Sequence, residues 1–489
     1  MNPNTKLKLA STLIVSSISL LLGQSLYASS TTVTNPTAVP VITQNKAFVL
    51  DNGTNSRFMF RGITYQPEQD VDPLSDNNLA TIQKLVGTQT NPGLWKQLNI
   101  NAIRVYQVDP SASHDKVMNF LAQNGIYVLV GTSNTKVGIA TFSPQYTTAY
   151  KNRIEAVINA FGKYPNTLGF NIGNEVEFPS GSNTLENEKQ GAAVIKSAIR
   201  DAQTYIKSQV QSGAINRQIP VGTAMLDNPN PMGDQVGTTT IAQYLACNTQ
   251  ASDGTEVHAD YMGINNSRYV GPNGDLNAYN QLISDYDITH YSIPVIFTEF
   301  EGPAMSSPRD WADVGHLFTT KSQYDQLSGG FGYRFYQKTE NRGLINSPTN
   351  LTPTTNGGFT NLAKQYKTVS SISLALPPQV NTPIACPANF NPKLVQAGGN
   401  TPTGNTSITI KNYATDSLVV VQNGKQIANL TAGSASAPSS TSLKVDNTQQ
   451  LLIQQPNTWY TVCTVSSNIL QDGSTVMDNV SWGNPCNVQ

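Results

Sequence analysis

Two short apolar runs in the sequence each lead to a glutamate. Leu168 to Ile172 is followed by Asn174 and Glu175, and Ile293 to Phe297 is followed by Glu299. Continuous apolar runs of this length are typical of buried parallel strands. Parallel α/β barrels carry their active sites at the carboxyl ends of such strands. Both glutamates are therefore candidate catalytic residues.

Two carboxylates at one cavity predict the chemistry of a retaining glycosidase. Cleavage of a glycosidic bond needs an acid that protonates the bridging oxygen and a carboxylate that traps the anomeric carbon. We predict Glu175 as the acid and then the base, with a pKa raised by burial and a nearby carboxylate, and Glu299 as the ionised nucleophile. Arg104 ends another apolar run and is the predicted cation that keeps Glu299 ionised. Asn174 is predicted to hydrogen-bond the sugar 2-hydroxyl.

Each of these assignments has a purely structural alternative. A glutamate at a strand end can cap the next helix or pair with a lysine, and Arg104 can belong to a structural ion pair. Glu177 and Glu301 follow the two candidates by two positions. Because residues i and i+2 of a strand face the same way, spacing alone leaves both in competition with Glu175 and Glu299.

Other side chains near predicted strand ends are candidates for sugar binding. Gln66 follows the first strand, and it either binds a sugar hydroxyl or serves the turn at Gln66-Pro67. A tyrosine at a strand end can stack on a sugar ring, although packing at the rim is the commoner role. Of the five tyrosines in such positions we select Tyr106 and Tyr333. The five are Tyr65, Tyr106, Tyr269, Tyr333 and Tyr336.

The predicted elements fit an α/β protein, a (β/α)8 TIM barrel with a small C-terminal all-β module. Eight strand-like segments, several of them followed by helical patterns, are typical of a parallel barrel. The strands are predicted at 58–65, 101–106, 126–130, 168–172, 219–223, 260–265, 293–297 and 329–336. Helices are predicted at 79–98, 114–124, 146–164 and 185–211. Alternating segments at 407–421, 426–430, 442–445, 451–454 and 458–465 predict the β module.

The N-terminus has the features of a secretory leader. Lys6 and Lys8 precede an apolar core from Leu9 to Leu22, and Ala28 closes a plausible cleavage region. The core is shorter than the roughly 20 residues of a membrane span, so we expect cleavage, no membrane anchor afterwards, and a secreted or periplasmic protein. The predicted order is a signal peptide at 1–28, a linker at 29–44, the catalytic barrel at 45–375, a linker or irregular structure packed on the barrel at 376–405, and a β-sandwich-like module at 406–489.

Composition excludes several functional classes. The 489 residues carry a formal net charge of −1, and only 12% of them are charged. A nucleic-acid partner would require a basic surface that this composition lacks, and the balance also differs from that of acidic disordered chains. A surface rich in amides and hydroxyls suits neutral sugars, although it suits many secreted proteins equally. The expected partner, a polysaccharide, follows from the paired glutamates.

The cysteines predict disulfides rather than a metal or redox site. Four cysteines allow three pairings, of which we favour Cys247–Cys386 in the barrel and Cys463–Cys486 in the β module. No CxxC pair occurs, and the four histidines are scattered along the chain. We therefore predict no metal and no cofactor.

Five motifs in sequence order resemble the fungal β-1,3-glucanosyltransferases, glycoside hydrolase family 72. They are R-G-I-T-Y-Q-P at 61–67, N-A-I-R-V-Y-Q-V-D-P at 101–110, H-D-K-V-M-N-F-L-A-Q-N-G-I-Y-V-L-V at 114–130, N-T-L-G-F-N-I-G-N-E-V at 166–176 and I-P-V-I-F-T-E-F at 293–300. The resemblance spans about residues 45–370. It implies a retaining (β/α)8 enzyme that cleaves β-1,3-glucan internally and passes the new reducing end to another glucan chain.

The same resemblance implies roles for individual residues. Asn174 and Glu175 match the family's Asn-Glu acid/base pair, and Glu299 matches its nucleophile. The family's sugar-binding glutamine and tyrosines match Gln66, Tyr106 and Tyr333.

The chain departs from the family pattern at two positions. Gly131 stands where the family usually has an aspartate, and Ser267 replaces a tyrosine that positions the nucleophile, with Tyr269 two places later. We therefore expect Arg104, or Tyr269 from a shifted backbone, to position Glu299. The leader, the few cysteines and the lack of an anchor signal favour a bacterial relative of the family.

Three functions remain open from the sequence. The first is a β-1,3-glucanosyltransferase that acts through a covalent glycosyl-enzyme intermediate. The second is a retaining endo-β-glucanase without significant transfer. The third is a non-catalytic cell-wall-binding protein, for which the β module would supply the binding surface. Trp459, Tyr460 and Trp482 of that module would form either a glycan platform or its core.

Overall fold

A computed structural model gives the architecture of most of the chain. The structure describes residues 38–139, 144–176, 185–228, 236–251, 253–271, 274–288, 291–301, 309–382, 384–398, 405–422, 425–446, 451–456, 461–465, 474–477 and 484–488. The predicted signal peptide at 1–28 lies outside these residues. Within the described part of the chain, no helix is both long enough and apolar enough to span a bilayer.

A small antiparallel sheet precedes the barrel. It consists of β1 (Val41–Gln44), β2 (Ala47–Leu50) and β3 (Arg57–Phe58). β1 and β2 form a hairpin around Asn45, whose φ of 50° suits a tight two-residue turn. β1 thus lies in the segment that we predicted as a linker at 29–44. That segment is rich in threonine, proline and serine, a composition typical of linkers, so its four-residue strand was not predicted.

Eight parallel strands close into a barrel, which confirms the predicted (β/α)8 fold class. The barrel strands are β4 (Phe60–Thr64), β5 (Ala102–Val105), β6 (Tyr127–Gly131), β7 (Thr167–Ile172), β8 (Val221–Leu226) and, after the short pair β9 (Thr249–Gln250) and β10 (Glu256–Val257), β11 (Tyr261–Asn266), β12 (Val295–Phe300) and β13 (Leu327–Gly332). Each strand pairs in parallel with its neighbour, with register shifts in the β6–β7, β11–β12 and β12–β13 pairs, and the last strand pairs with the first.

The barrel strands are apolar because both of their faces are covered. Every residue of β5, β6, β7 and β12 is buried. The main core lies between the strands and the outer helices. A second core of aromatic side chains, among them Phe48, Phe58 and Phe60, packs around residues that begin barrel strands. The N-terminal sheet therefore covers one end of the barrel and leaves the carboxyl ends of the strands for a site.

The helices follow the predicted pattern with one correction. The helix predicted over 79–98 is two helices, because Gly87, at a φ of 69°, ends the first and Pro92 and Gly93 precede the second. Apolar residues continue on both sides of the break, which is why periodicity alone joined them. The helices are α1 (Leu79–Val86), α2 (Leu94–Leu98), α3 (Asp115–Gln123), α4 (Thr148–Phe161), α5 (Leu185–Gln211), α6 (Thr238–Ala246), α7 (Leu276–Ile288), α8 (Ala312–Thr319), α9 (Lys321–Tyr324) and α10 (Gly358–Val369), with a 3₁₀ turn at Asp76–Asn78.

The segment after α10 is irregular and packs against the barrel. Its described residues 376–398 contain no helix or strand. The disulfide Cys247–Cys386 joins it to the end of α6, which confirms the pairing that we favoured. Farther along, the backbone N–H of Val395 donates to Ser197 Oγ of α5 at 2.8 Å. These contacts fit irregular structure on the barrel rather than an extended linker.

The C-terminal residues form two small sheets. The predicted strand at 407–421 is two strands, separated by a turn, and the disulfide Cys463–Cys486 is formed as predicted. The hairpin signal Asn423-Gly424 and the aromatic residues Trp459, Tyr460 and Trp482 lie outside the described residues. One sheet holds β14 (Asn405–Asn412), β17 (Ser439–Asp446), β20 (Thr475–Met477) and β22 (Asn487–Val488), and the other holds β15 (Leu418–Gln422), β16 (Lys425–Leu430), β18 (Leu451–Gln454), β19 (Thr461–Val465) and β21 (Asn484–Pro485).

Candidate active site

An open cavity of about 770 Å³ lies at the carboxyl ends of the barrel strands. Seven of the eight predicted site residues line it, and Tyr269 does not belong to the described lining. The seven are Gln66, Arg104, Tyr106, Asn174, Glu175, Glu299 and Tyr333.

Glu299 accepts hydrogen bonds from two donors, one in β5 and one just after that strand. It lies within β12, one residue before the strand ends, whereas the sequence predicted a strand that ends at Phe297, two residues before this glutamate. Arg104 Nη1 donates to Glu299 Oε1 at 3.0 Å, and the Tyr106 hydroxyl donates to the same oxygen at 2.7 Å. The contact with Arg104 was expected, whereas the contact with Tyr106 was not.

Burial has the largest effect on the pKa of Glu299. Glu299 as a whole residue is 8% exposed, and burial raises its pKa to about 7, with the Glu175 carboxylate adding to the rise. The Arg104 guanidinium and the Tyr106 hydroxyl stabilise the ionised form and oppose the rise. Arg104 thus acts in the expected direction, but burial raises the pKa of Glu299 by more than the cation lowers it.

Tyr106 is itself fixed between two charged groups. Its ring lies under the Arg104 guanidinium at 4.5 Å, a cation–π distance. Burial and the neighbouring Glu299 raise the pKa of the Tyr106 phenol well above its ordinary value. The phenol therefore stays protonated and acts as the donor to Glu299.

Glu175 reaches the cavity through a tight turn after β7. Gly173 and Glu175 both have a positive φ, of 68° and 51°. A glutamate in this left-handed region is uncommon and costs on the order of 1 kcal/mol, and such residues cluster at functional sites. The backbone N–H of Glu175 donates to Ala224 O at 2.8 Å, which anchors the turn to β8.

Asn265 joins the two carboxylates and was missed from the sequence. Its Nδ2 donates to Glu175 Oε1 at 2.7 Å, while its Oδ1 accepts from Arg104 Nη1 at 3.2 Å and from Thr298 Oγ1 at 2.8 Å. Because Arg104 also contacts Glu299, a continuous polar network connects Glu175 to Glu299. Asn265 ends a predicted strand as the candidate glutamates do, and this position was the signal available.

Asn174 takes part in the same network. Its Oδ1 accepts from Arg104 Nη2 at 2.6 Å and from Asn265 Nδ2 at 3.1 Å. These contacts fix the position of the amide beside Glu175. Its predicted contact with a sugar hydroxyl stays a prediction.

Gln66 is engaged by the loop around it. Its Nε2 donates to the carbonyls of Glu68 and Val71 at 2.9 and 2.7 Å, and its Oε1 accepts from the backbone N–H of Tyr106 and Gln107. These contacts favour the turn role among our two alternatives. Gln66 also lines the cavity, so it shapes the wall next to Tyr106.

The tyrosines divide between the cavity and the core. Tyr333 and Tyr336 lie just beyond the end of β13 and contribute to the cavity wall, but Tyr336, like Tyr65, is buried among aromatic rings. The Tyr333 hydroxyl accepts from Arg334 Nη1 at 3.0 Å. Tyr333 is half-buried, which leaves part of its surface open to the cavity.

The structure separates Glu299 from its competitor Glu301. Glu301 forms an ion pair with Arg342, and its backbone oxygen accepts from Arg309. Among the described residues that line the cavity, Glu299 is present and Glu301 is not. The geometry therefore favours Glu299 as the reacting carboxylate of this pair. Glu177, the competitor of Glu175, lies outside the described residues.

No metal-binding cluster accompanies these carboxylates in the described residues. In the part of the chain that the structure describes, three or more histidine, cysteine, aspartate or glutamate side chains nowhere come together in a way that could hold a metal ion.

Comparison with known proteins identifies the family. The family model described as glucanosyltransferase, glycoside hydrolase family 72, matches residues 30–370. The chain belongs to this glucanosyltransferase family.

Individual glucanosyltransferases give the extent of the similarity. The 1,3-beta-glucanosyltransferase gas2 of Schizosaccharomyces pombe is 30% identical over 326 residues, which cover 65% of this chain and 65% of that protein. The 1,3-beta-glucanosyltransferase GAS2 of Saccharomyces cerevisiae is 30% identical over 337 residues, which cover 66% of this chain and 55% of that protein. The chain thus spans between about half and two thirds of the length of these relatives.

A solved glucanosyltransferase structure has the same fold. The structure of Saccharomyces cerevisiae Gas2p in complex with laminaripentaose matches with a TM-score of 0.60 and 25% identity. The match covers 74% of this chain and 78% of that one. It supports the assignment of the barrel as a member of the family.

Residues other than Ser267 hold Glu299 in place, although Ser267 stands where the family has a nucleophile-positioning tyrosine. Ser267 is exposed, and Tyr269 lies outside the described cavity lining. Arg104 and Tyr106 both donate to Glu299 instead. Of the two residues that we expected to position the nucleophile, Arg104 has the contact, and the partner that joins it is Tyr106 rather than Tyr269.

Proposed function

We propose that this chain is a retaining β-1,3-glucanosyltransferase that cleaves and re-joins β-1,3-glucan through a covalent glycosyl-enzyme intermediate. The observation that carries the proposal is that Glu175 and Glu299 share one open cavity and are linked through Asn265 and Arg104. The family of the chain and the names of its relatives supply the reaction type and the linkage.

In the first step, Glu175 protonates the bridging oxygen while Glu299 attacks the anomeric carbon. The bond from the anomeric carbon to the leaving sugar breaks, and a bond to a Glu299 oxygen forms. Arg104 and Tyr106 hold the attacking carboxylate in one orientation, which removes part of the entropic cost of reaching the transition state. The leaving fragment departs with the proton of Glu175.

In the second step, Glu175 acts as the base. It removes the proton of an acceptor hydroxyl, whose oxygen attacks the anomeric carbon and releases Glu299. A glucan acceptor gives transfer, and water gives hydrolysis. The half-buried Tyr333 on the wall of the open cavity offers an aromatic face on which an acceptor sugar can stack in preference to water.

The substrate class follows from the composition of the site and from the relatives. The cavity is lined by amide, hydroxyl and aromatic side chains that suit a neutral sugar polymer. Gas2p of Saccharomyces cerevisiae has been solved with laminaripentaose, and the related proteins are called 1,3-beta-glucanosyltransferases. These findings favour β-1,3-glucan as donor and acceptor.

Incubation with a single reduced β-1,3-gluco-oligosaccharide tests the proposal. We expect products longer than the substrate, because the released chain segment is passed to a second substrate molecule. Products that are only shorter would reduce the protein to a retaining endo-glucanase. Binding without any turnover would favour the non-catalytic wall-binding alternative. Parallel incubations with β-1,4- and mixed-linkage oligosaccharides test the linkage.

The pH dependence of cleavage provides a second test. The Glu299 nucleophile must be ionised, so kcat/KM is expected to fall as pH drops below the pKa of about 7. Tyr106→Phe removes a donor that stabilises the ionised form, so the pKa rises and this acid limb moves to higher pH by about one unit. An acid limb that stays in place in the Tyr106→Phe enzyme contradicts this role.

We also propose an extracytoplasmic location. The secretory leader predicted from the sequence and the two disulfides favour an oxidising compartment, either outside the cell or in the periplasm. The leader and the few cysteines favour a bacterial source, although the relatives compared above are fungal. Alkylation of the purified protein with and without reduction tests the compartment, since all four cysteines are expected to be protected before reduction.

A further inference from the structure

The position of the Tyr106 hydroxyl depends on where the Tyr106 backbone lies. Tyr106 directly follows β5, and its hydroxyl spans to Glu299 at 2.7 Å. The pairing of β5 with β6 places Val105 beside Val130, so the next step of the register brings Tyr106 beside Gly131. The position of the phenol is therefore set partly by how closely Tyr106 approaches Gly131.

Gly131 leaves no room for a side chain at this contact. A Cβ built on Gly131 would lie 2.1 Å from Tyr106 O, 2.7 Å from Tyr106 C and 3.1 Å from Tyr106 Cα. All three are backbone atoms, which cannot rotate away as the end of a flexible side chain can. Gly131 is not among the residues of positive φ, so the need is for space and not for a special backbone conformation.

We propose that Gly131 is a positioning residue for the nucleophile, because the missing side chain lets the Tyr106 backbone close against β6 and brings the phenol onto Glu299. The inference rests on the proposed function for the meaning of Glu299, and the contact itself can be tested without it. Gly131 contacts the Tyr106 backbone and also lines the cavity, so a change in the protonation of Glu299, rather than a loss of rate alone, is what separates positioning through Tyr106 from a direct effect on the substrate.

A side chain added at position 131 is expected to change the protonation of Glu299. A methyl group at position 131 must move the Tyr106 backbone by about 1 Å to reach ordinary contact distance, and a misplacement of that size can cost about 10²-fold in rate. Loss of the phenol contact also removes one of the groups that favour the ionised form of Glu299. The charged and titratable groups that face Glu299 are Arg104, Tyr106, Glu175, Glu301 and Tyr333.

The test is a comparison of Gly131→Ala with Tyr106→Phe and with the double variant. Gly131→Ala is expected to lower kcat/KM by about 10²-fold and to move its acid limb upward by about one pH unit, as Tyr106→Phe does. The double variant is expected to show no limb shift beyond that of Tyr106→Phe, because both changes remove the same hydrogen bond. Gly315→Ala is the matched control, since a Cβ there meets no atom within 4 Å.

Two outcomes would overturn the proposal. The first is a Gly131→Ala enzyme whose acid limb stays at the wild-type position, or a double variant whose limb shift is the sum of the two. The second is a crystal structure of Gly131→Ala in which the Tyr106 hydroxyl remains within the O–H···O range of about 2.5–3.0 Å of Glu299.

A structural measurement separates this inference from the proposed function. A wild-type enzyme that leaves β-1,3-glucan unchanged contradicts the proposed function, while the Tyr106–Glu299 distance in crystals is measured without any substrate. If Gly131→Ala fails to fold, the crystal structure of the wild-type protein decides the matter. Space for a methyl group between Gly131 and Tyr106 O overturns the proposal there, and backbone contact that leaves none supports it.

Discussion

Replacing Glu299 with glutamine is expected to lower kcat for β-1,3-glucan cleavage by about 10⁴-fold or more. The amide is a poor nucleophile and cannot form the glycosyl-enzyme intermediate. The step that breaks the glycosidic bond therefore loses its nucleophile. Glu175→Gln removes the general acid and is expected to cost between about 10² and 10⁴-fold. Initial rates on a reduced β-1,3-gluco-oligosaccharide measure both effects.

Rescue with azide assigns the two roles. In Glu175→Ala the glycosyl-enzyme still forms with an activated donor, and azide that attacks it should give a β-glycosyl azide. In Glu299→Ala azide takes the place of the nucleophile and should give the α-glycosyl azide. The opposite assignment of products would exchange the roles of the two glutamates.

Glu301→Gln is the matched control for Glu299→Gln. Glu301 pairs with Arg342 and does not belong to the described lining of the cavity. It is expected to keep kcat within about tenfold of wild type, which corresponds to about 1.4 kcal/mol in the barrier. A loss as large as that of Glu299→Gln would mean that the reacting carboxylate has been misassigned.

Replacing Arg104 with methionine is expected to weaken both activity and stability. Arg104 is 1% exposed and donates to Glu299, Asn174, Asn265 and the backbone oxygen of Thr298. Removing one partner of a buried ion pair typically costs about 3–5 kcal/mol, because the other charge is left buried and unpaired. The loss should appear as a lower unfolding temperature in calorimetry.

The stability loss in Arg104→Met should depend on pH. The pKa of Glu299 is already raised to about 7, above its unfolded value, so folding favours the protonated form and stability falls as pH rises through this range. Without Arg104 the folded pKa rises further, and the fall continues above pH 7 where the wild type has levelled off. The difference in unfolding temperature between variant and wild type should therefore be larger at pH 8.5 than at pH 6.

Arg334→Met is the control for the loss of an arginine at the cavity. Arg334 pairs with Glu340 at the rim, and its side chain is more exposed than that of Arg104. Exposed pairs contribute about 0–1 kcal/mol, so little loss of stability and no dependence on the state of Glu299 are expected. Equal pH-dependent losses in both variants would contradict the ion-pair role of Arg104.

The sequence predicted the barrel well because its signals are local. Each barrel strand is a short apolar run that must be buried on both faces, and each run is readable without knowledge of its neighbours. The break between α1 and α2 was lost because apolar residues continue past Gly87. The strand β1 was lost because its segment is dominated by residues typical of linkers.

In the cavity, too, the residues that could be selected were those marked by a nearby sequence pattern, whereas contacts between residues far apart in the sequence could not be predicted. Glu175 and Glu299 could be selected because a strand end delivers a side chain to one face of a parallel barrel, whatever the rest of the fold. The contact of Tyr106 with Glu299 joins residues 193 positions apart, and no pattern near either residue indicates it. The amide of Asn265 is linked to Glu175 across 90 positions in the same way.

By itself, the amino-acid sequence determined the fold class and the disulfide pairing that we favoured, and it selected two glutamates that line one cavity, because strand patterns, strand ends and cysteine positions are properties of short segments. Only the tertiary structure decided which donors hold each carboxylate, that Gln66 serves its own loop, and that burial outweighs Arg104 at Glu299. Those outcomes depend on the register of eight strands around a closed barrel and on the water that its closure removes, and neither quantity is written in any one segment of the chain.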